Sequence, residues 1–360
     1  MVTKKRNSDP RFGLILPLIV LLLFGCVSPA ATQPVKYAPP TVTEFPAYKT
    51  PTTSKPTLTS GVVPQPTFTS QPTNTVTLSP TVTITLTPSL TATVTPTPGI
   101  GSTRVSPMDG MRLVYVPEGN FQMGLTGYQA EIVVEQCLPL MGRISDCENE
   151  VKNAKPAHMV WLDAFWIDQT DVTNAQYAKC VSAGGCQPPR NNQSSTHASY
   201  YGNADFDDYP VIYVDWSQAD SYCTWAGRRL PTEAEWEKAA RGTDGRIYPW
   251  GKWIDQKKAN YGYILGDTTR AGSYPDGASP YGALDMAGNV GQWVADWYDE
   301  SYYQSQTTWA NPGGPYSGTV RVIRGGSWIN LGFDVSSSVR LTGDPGDAEM
   351  SFGFRCAVSP

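Results

Sequence analysis

Histidine is scarce in this chain: only His158 and His197 occur among 360 residues, and charged residues make up just 16%. The two histidines lie in no H-x3-H-x-E-like cluster, so they read as ordinary hydrogen-bonding side chains rather than a metal or acid–base set. No serine stands in a G-x-S-x-G turn, which removes the signature of a nucleophile elbow. The net charge of −5 gives a nucleic-acid partner no electrostatic support. The apolar stretch from Phe12 to Gly25 is too short to span a bilayer comfortably. Aromatic rings, by contrast, are plentiful, with 11 Trp and 19 Tyr. That mixture points to an extracellular, loop-rich domain whose rings mostly pack a core and in part form a binding face.

The length admits one large or two ordinary domains. Lys4, Lys5 and Arg6 ahead of the apolar stretch make residues 1–26 read as an export signal. Its end, Leu23-Phe24-Gly25-Cys26, resembles the lipobox of bacterial lipoproteins, with Cys26 as the lipidated residue. An ordinary cleaved signal and an uncleaved anchor are the alternatives. Residues 27–107 are rich in Thr, Pro, Ser and Val, with proline too dense for helix or central strand. They read as an extended stalk. The expectation is an exported protein, lipid-anchored to the bacterial cell membrane, with a globular head outside the cytoplasm.

The head is expected to begin near Met108. Met111 to Met123 alternates like a hairpin turning at Pro117-Glu118-Gly119-Asn120. Gly127 to Ala154 reads as a long loop, and Val160 to Trp166 as one strand. Thr173 with Gln176 starts a helix, and Cys180 and Cys186 bracket a Gly-Gly loop. Arg190 to Asp208 is polar and irregular, and Val211 to Val214 reads as a strand. Two short helices follow. The first has Ser217 as N-cap with Asp220 three residues on, and Gly227 stops it. The second opens on Thr232 and Glu235, a T-x-x-E capping box, and ends at Gly242.

The run WAGRRLPTEAEWEKAARG, from Trp225 to Gly242, closely resembles the formylglycine-generating enzyme, or sulfatase-modifying factor, family. Further blocks match in the family's order: MRLVYVPEGNFQMG (Met111–Gly124), FWIDQTDVTNAQY (Phe165–Tyr177), YGALDMAGNVGQW (Tyr281–Trp293), RVIRGGSW (Arg321–Trp328) and GFRCA (Gly353–Ala357). The resemblance spans roughly Met108 to Pro360. It implies an α+β fold, an irregular, much-elaborated C-type-lectin-like domain with few regular elements. It also places Cys223 and Cys356 at the positions of a long-range disulfide. Local spacing then makes Cys137–Cys147 and Cys180–Cys186 the natural remaining pairs, with other connectivities open. Setting Cys26 aside, this even set of six suits an oxidising compartment.

Formylglycine-generating enzymes oxidise a cysteine in a sulfatase recognition segment, using two cysteines that bind copper(I) just after the GGS-aromatic block. Soft thiolates suit that ion. Counted from Ser327, the matching positions are Asn330 and Val335. The resemblance therefore implies the scaffold without its copper pair, and copper is not expected. Ser327 matches the family's pocket serine. Other branches of the superfamily use three histidines for iron, which this chain lacks.

The resemblance also implies structural calcium, an ion that prefers hard oxygen ligands. One set is Asn260, the Tyr261 carbonyl, Asp267 and the Thr269 carbonyl. The other is Asp285, the Gly288 and Val290 carbonyls and Gln292, where the family has Glu in place of Gln292 and an aromatic in place of Gly291. Asn and Asp are also common turn formers. The leading expectation is a surface-displayed domain that binds a peptide, glycan or protein, with Trp293, Trp297, Tyr298 and Trp328 as the contact wall. The alternative is an active oxidase or related modifying enzyme acting on target sulfatases. A purely structural envelope module is the third reading.

Overall fold

The computed structural model describes residues 97–305 and 309–360. The expected signal, Cys26 and all but the last eleven residues of the expected stalk lie outside the described residues. The head reaches further back than Met108, because β1 (Thr103–Val105) pairs antiparallel with β2 (Arg112–Val116). β2 then pairs with β5 (Phe165–Asp168), and β5 with β10 (Ala357–Val358), so the end of the chain closes the sheet that its start opens. β3 (Gly119–Met123) and β4 (His158–Leu162) form a separate two-stranded sheet. The third sheet has the order β8 (Leu341–Gly343), β7 (Arg321–Arg324), β6 (Gly291–Trp297), β9 (Phe352–Phe354). In it only β6 and β9 run parallel.

Met111 to Met123 is therefore not a hairpin. β2 and β3 belong to different sheets, because β2 pairs with β5 and β3 with β4, both far along the chain. The stretch expected as one strand from Val160 to Trp166 is likewise β4 and β5, broken at Asp163-Ala164. Val211 to Val214 makes no ladder at all. It is a buried connection whose Val211 N–H donates to the Val172 carbonyl at 2.9 Å.

Gly127 to Ala154, expected as a loop, is largely helical: α1 spans Gly127–Met141 and α2 Ile144–Glu150. Thr126 caps α1. Its Oγ1 accepts the Gln129 N–H at 3.2 Å, and Gln129 Oε1 accepts the Thr126 N–H at 2.8 Å. Ala130, Val133 and Cys137 then recur on one buried face. Gly142, at φ 75°, ends α1 in the left-handed conformation that glycine tolerates.

The other capping boxes are local as well. Thr173 and Gln176 open α3 (Asn174–Ser182), and Thr232 and Glu235 open α5 (Glu233–Arg241), both as expected. For α4 (Trp216–Trp225) the cap is Asp215 with Gln218 rather than Ser217 with Asp220. Ser217 lies inside the helix, where its hydroxyl donates to Asp215 Oδ1 at 2.8 Å. A single turn, α6 (Tyr302–Ser305), follows β6. The disulfides pair Cys137–Cys147, Cys180–Cys186 and Cys223–Cys356. The last ties α4 to the residue before β10. Among the described residues no helix is long and apolar enough to cross a membrane.

Every residue of α5 is buried, including Glu233, Glu235, Glu237, Lys238 and Arg241. A helix that is polar yet buried all round must have partners for its charges. Glu237 accepts from Arg241 at 2.8 Å, from the Gly124 N–H at 2.8 Å and from Arg324 of β7 at 2.5 Å. Burial alone would push its carboxyl up, but Arg324 and Arg241 outweigh that and hold it below its ordinary value. Arg324 also donates to the carbonyls of Ser337, Ser338 and Val339, and Arg340 grips Glu233 at 2.7 and 3.0 Å. Glu237→Gln leaves two buried guanidinium groups short of counter-charge. The expected loss of unfolding free energy in denaturant titration is about 3–5 kcal/mol.

Candidate functional site

β7 delivers the chain into Gly325-Gly326-Ser327-Trp328. Both glycines have positive φ, and a Cβ on Gly326 would meet Val335 Cγ1 at 2.8 Å. The backbone thus lies directly on Val335, which is fully buried in the cluster that also holds Tyr248, Tyr261 and Phe333. Asn330 folds back on the turn. Its Oδ1 accepts both the Ser327 N–H at 2.9 Å and the Ser327 hydroxyl at 2.7 Å. The two positions expected to match the family's thiols are therefore a turn cap and a core side chain.

Beside Asn330 opens a cleft of about 570 Å³, lined by Tyr298, Ile329, Asn330, Arg340, Glu349 and Phe352 among others. Glu349 and Phe352 come from the chain's last dozen residues, and no local motif marks them as site residues. Asp334, next to Val335, accepts the Leu331 N–H at 3.0 Å. Burial pushes its carboxyl up to about 6; that N–H and the Asn330 amide oppose the shift, and nearby Glu150 adds to it.

The four rings expected as a contact wall do not form one. Trp293 is fully buried, with its N–H on the Val214 carbonyl at 3.1 Å. Trp328 is also buried and lies edge-on to Tyr263 at 5.4 Å. Trp297 is half-buried, and the Arg321 guanidinium sits 3.5 Å from its ring centre, on the Trp216 ring as well. Tyr298 alone of the four lines the cleft, where its hydroxyl accepts from Asn153 at 3.1 Å. The reason is general: large rings contribute most stability when buried. The histidines are hydrogen-bonded or stacked, His158 on Trp309 at 4.0 Å and His197 against Asp267 at 3.3 Å.

Copper(I) does not fit these residues. All six cysteines between residues 97 and 360 are oxidised in pairs, and the matched positions offer an amide and an isopropyl group. The calcium set around Asp285 does not fit either. Gln292 Oε1 already accepts from Trp236 at 2.6 Å and from Arg355 at 2.7 Å, while its amide donates to Asp171 and to the Asp285 carbonyl. A buried guanidinium aimed at the Asp285 carbonyl is a poor neighbour for a dication. Asp285, whose Oδ2 accepts the Gly272 N–H at 2.7 Å, is thus the one carboxylate left in the set.

In the other set, Asn260 donates to the Asp267 carbonyl at 2.8 Å, and its buried Oδ1 has no partner. The Asp267 carboxylate is engaged by Ser194, Thr196 and Thr268. An orphaned hard acceptor beside the Tyr261 and Thr269 segments is the feature that fits calcium.

A model of the family described as "Sulfatase-modifying factor enzyme 1-like domain" matches residues 102–360. The chain belongs to that family. The formylglycine-generating enzyme of Streptomyces coelicolor is 33% identical over 258 residues, covering 56% of this chain and 80% of that protein. A Chlamydia caviae protein named serine/threonine-protein kinase pkn1 is 35% identical over 218 residues, covering 57% of this chain. The match spans 35% of that relative's length, so this chain corresponds to about a third of it. The solved structure of PvdO from Pseudomonas aeruginosa superposes with a TM-score of 0.56 at 25% identity, covering 73% of this chain and all of that one. The expected α+β fold of the sulfatase-modifying factor family is thus the observed one.

Asp334 supplies a pH test of the site. Its folded pKa lies above the unfolded value, so folding takes up a proton and stability falls as pH rises from about 4 to about 6. Asp334→Asn is expected to flatten that part of the melting-temperature profile and to raise stability relative to the parent at pH 7. An unchanged slope would mean that the carboxyl is not held in its neutral form.

Proposed function

We propose that this head binds an extended peptide segment of a partner protein in the cleft beside Asn330, and does not oxidise cysteine by copper-thiolate chemistry. One observation carries the reading: an open cleft lies beside Asn330, while both positions expected to carry the thiols are structural, Asn330 as cap and Val335 as core. A peptide suits the cleft better than a glycan. Sugar rings are bound on exposed aromatic faces, and here Trp293 and Trp328 are buried while Trp297 is covered by Arg321. Ile329, Leu341 and Phe352 supply apolar wall, and Asn330 and Glu349 supply an amide and a carboxylate for main-chain and basic groups. The three disulfides support the exported location expected from the leader, with the lipid anchor at Cys26 as part of the same proposal.

The test has two arms on the purified protein. Incubated with copper, oxygen and a Cys-x-Pro-x-Arg peptide, it is expected to give no aldehyde by mass spectrometry. Panned against a displayed random peptide library, it is expected to enrich sequences whose binding weakens about tenfold, or about 1.4 kcal/mol, in Tyr298→Ala. Conversion to the aldehyde, or a library that enriches nothing, would overturn the proposal.

We also assign one structural calcium, at the Asn260 set. Calcium is expected to raise the melting temperature of the parent and of Asp285→Asn, and to leave that of Asn260→Ala unmoved. A parent indifferent to both calcium and chelator removes the assignment.

A further inference from the structure

The helical hairpin of α1 and α2 has two faces, and the fold uses one. Ala130, Ile132, Val133, Cys137 and Cys147 are buried in the third core cluster, and the Cys137–Cys147 bridge locks the two helices together. The outer face is nevertheless apolar. Leu140 is 55% and Ile144 57% exposed, with Leu138 and Met141 also open to solvent. Nothing in the core requires those side chains, and an exposed apolar patch rimmed by polar groups marks an interaction site.

Between the two helices runs a groove of about 500 Å³. Val134, Leu138 and Ile144 lie in it, and Glu131, Glu135 and Glu148 stand along it, with Lys155 as its one cationic lining residue. Glu131 and Glu135 are one turn apart on α1, a like-charge spacing that costs helix stability. Among the described residues, none of these three carboxylates takes part in an ion pair.

We infer that this groove docks a basic amphipathic helix of a partner protein, its apolar face on Val134, Leu138 and Ile144 and its Lys or Arg side chains against Glu131, Glu135 and Glu148. Charge selects that occupant. A second copy of this chain would bring the same carboxylates to an isologous contact, and an anionic lipid surface would be repelled in the same way. A helix laid in an apolar groove is anchored by side chains at i, i+3, i+4 and i+7, which matches a floor built from two packed helices. The inference is independent of the cleft beside Asn330, because the two sites share no lining residue.

The experiment uses the full chain and a labelled helical peptide with Leu on one face and Lys on the other, read by fluorescence anisotropy. A matched peptide with Glu for Lys is the control. The Leu/Lys peptide is expected to bind saturably and the Leu/Glu peptide not to bind. Glu131→Lys with Glu135→Lys is expected to weaken binding at least about tenfold. Both side chains are exposed, so the variant keeps the parent's circular dichroism and melting temperature. Ile144→Ser should weaken binding at unchanged salt dependence. Equal affinity in the charge-reversed variant, or equal binding of the Leu/Glu peptide, would overturn the inference. So would dimerisation, or attachment to phosphatidylglycerol vesicles, that Ile144→Ser abolishes; these would reassign the face to a second copy or to a membrane.

Discussion

Arg324 and Glu237 face each other without solvent, and the geometry of the site depends on that contact. Arg324 is the last residue of β7, and the glycine pair begins at the next residue. Its guanidinium holds α5 through Glu237 and holds residues 337–339 through three carbonyls. The same cation therefore fixes the start of the Gly325–Asn330 turn and the far side of the segment that carries Asp334 and Val335. A buried ion pair of this kind adds little net stability over an apolar substitute, but it is costly to break from one side. Its effect here is positional: it sets which backbone faces which.

This arrangement separates scaffold from chemistry. The family's fold is present, with a long-range Cys223–Cys356 bridge and the α5 corner, while the two positions expected to carry the copper thiols hold groups that close the turn and fill the core. Asn330 satisfies two donors of Ser327, and Val335 packs beneath Gly326. Each replacement is internally consistent, with no strained or unpaired remnant at either position. Function in such a scaffold resides in what remains accessible. In the proposed reading that is a cleft walled by Ile329, Leu341 and Phe352, and on a different element the acidic groove between α1 and α2.

Legibility from the sequence followed the range of the interaction. Capping boxes act over three residues, so Thr173/Gln176 and Thr232/Glu235 could be read directly. Thr126/Gln129 carries the same signal, with Ala130, Val133 and Cys137 behind it, so α1 is as legible as α3 and α5, and the reading of a loop there misses a local signal. Strand partners act over long range. β2 pairs with β5, about fifty residues on, and nothing in Met111–Met123 distinguishes that pairing from a hairpin. Tryptophan identity likewise carries no sign of burial, so Trp293 and Trp328 looked the same as surface rings. Glu349 reaches the cleft only because β9 lies beside β6.

The most direct measurement of the central claim is a count of free thiols in the folded head, by alkylation under native conditions followed by peptide mass spectrometry. Residues 137–356 should yield no alkylated cysteine before reduction and six after it, as three closed disulfides require. Two cysteines alkylated in the native state would contradict the account, because a free pair would then be available to bind copper(I) and the case against thiolate chemistry would fall.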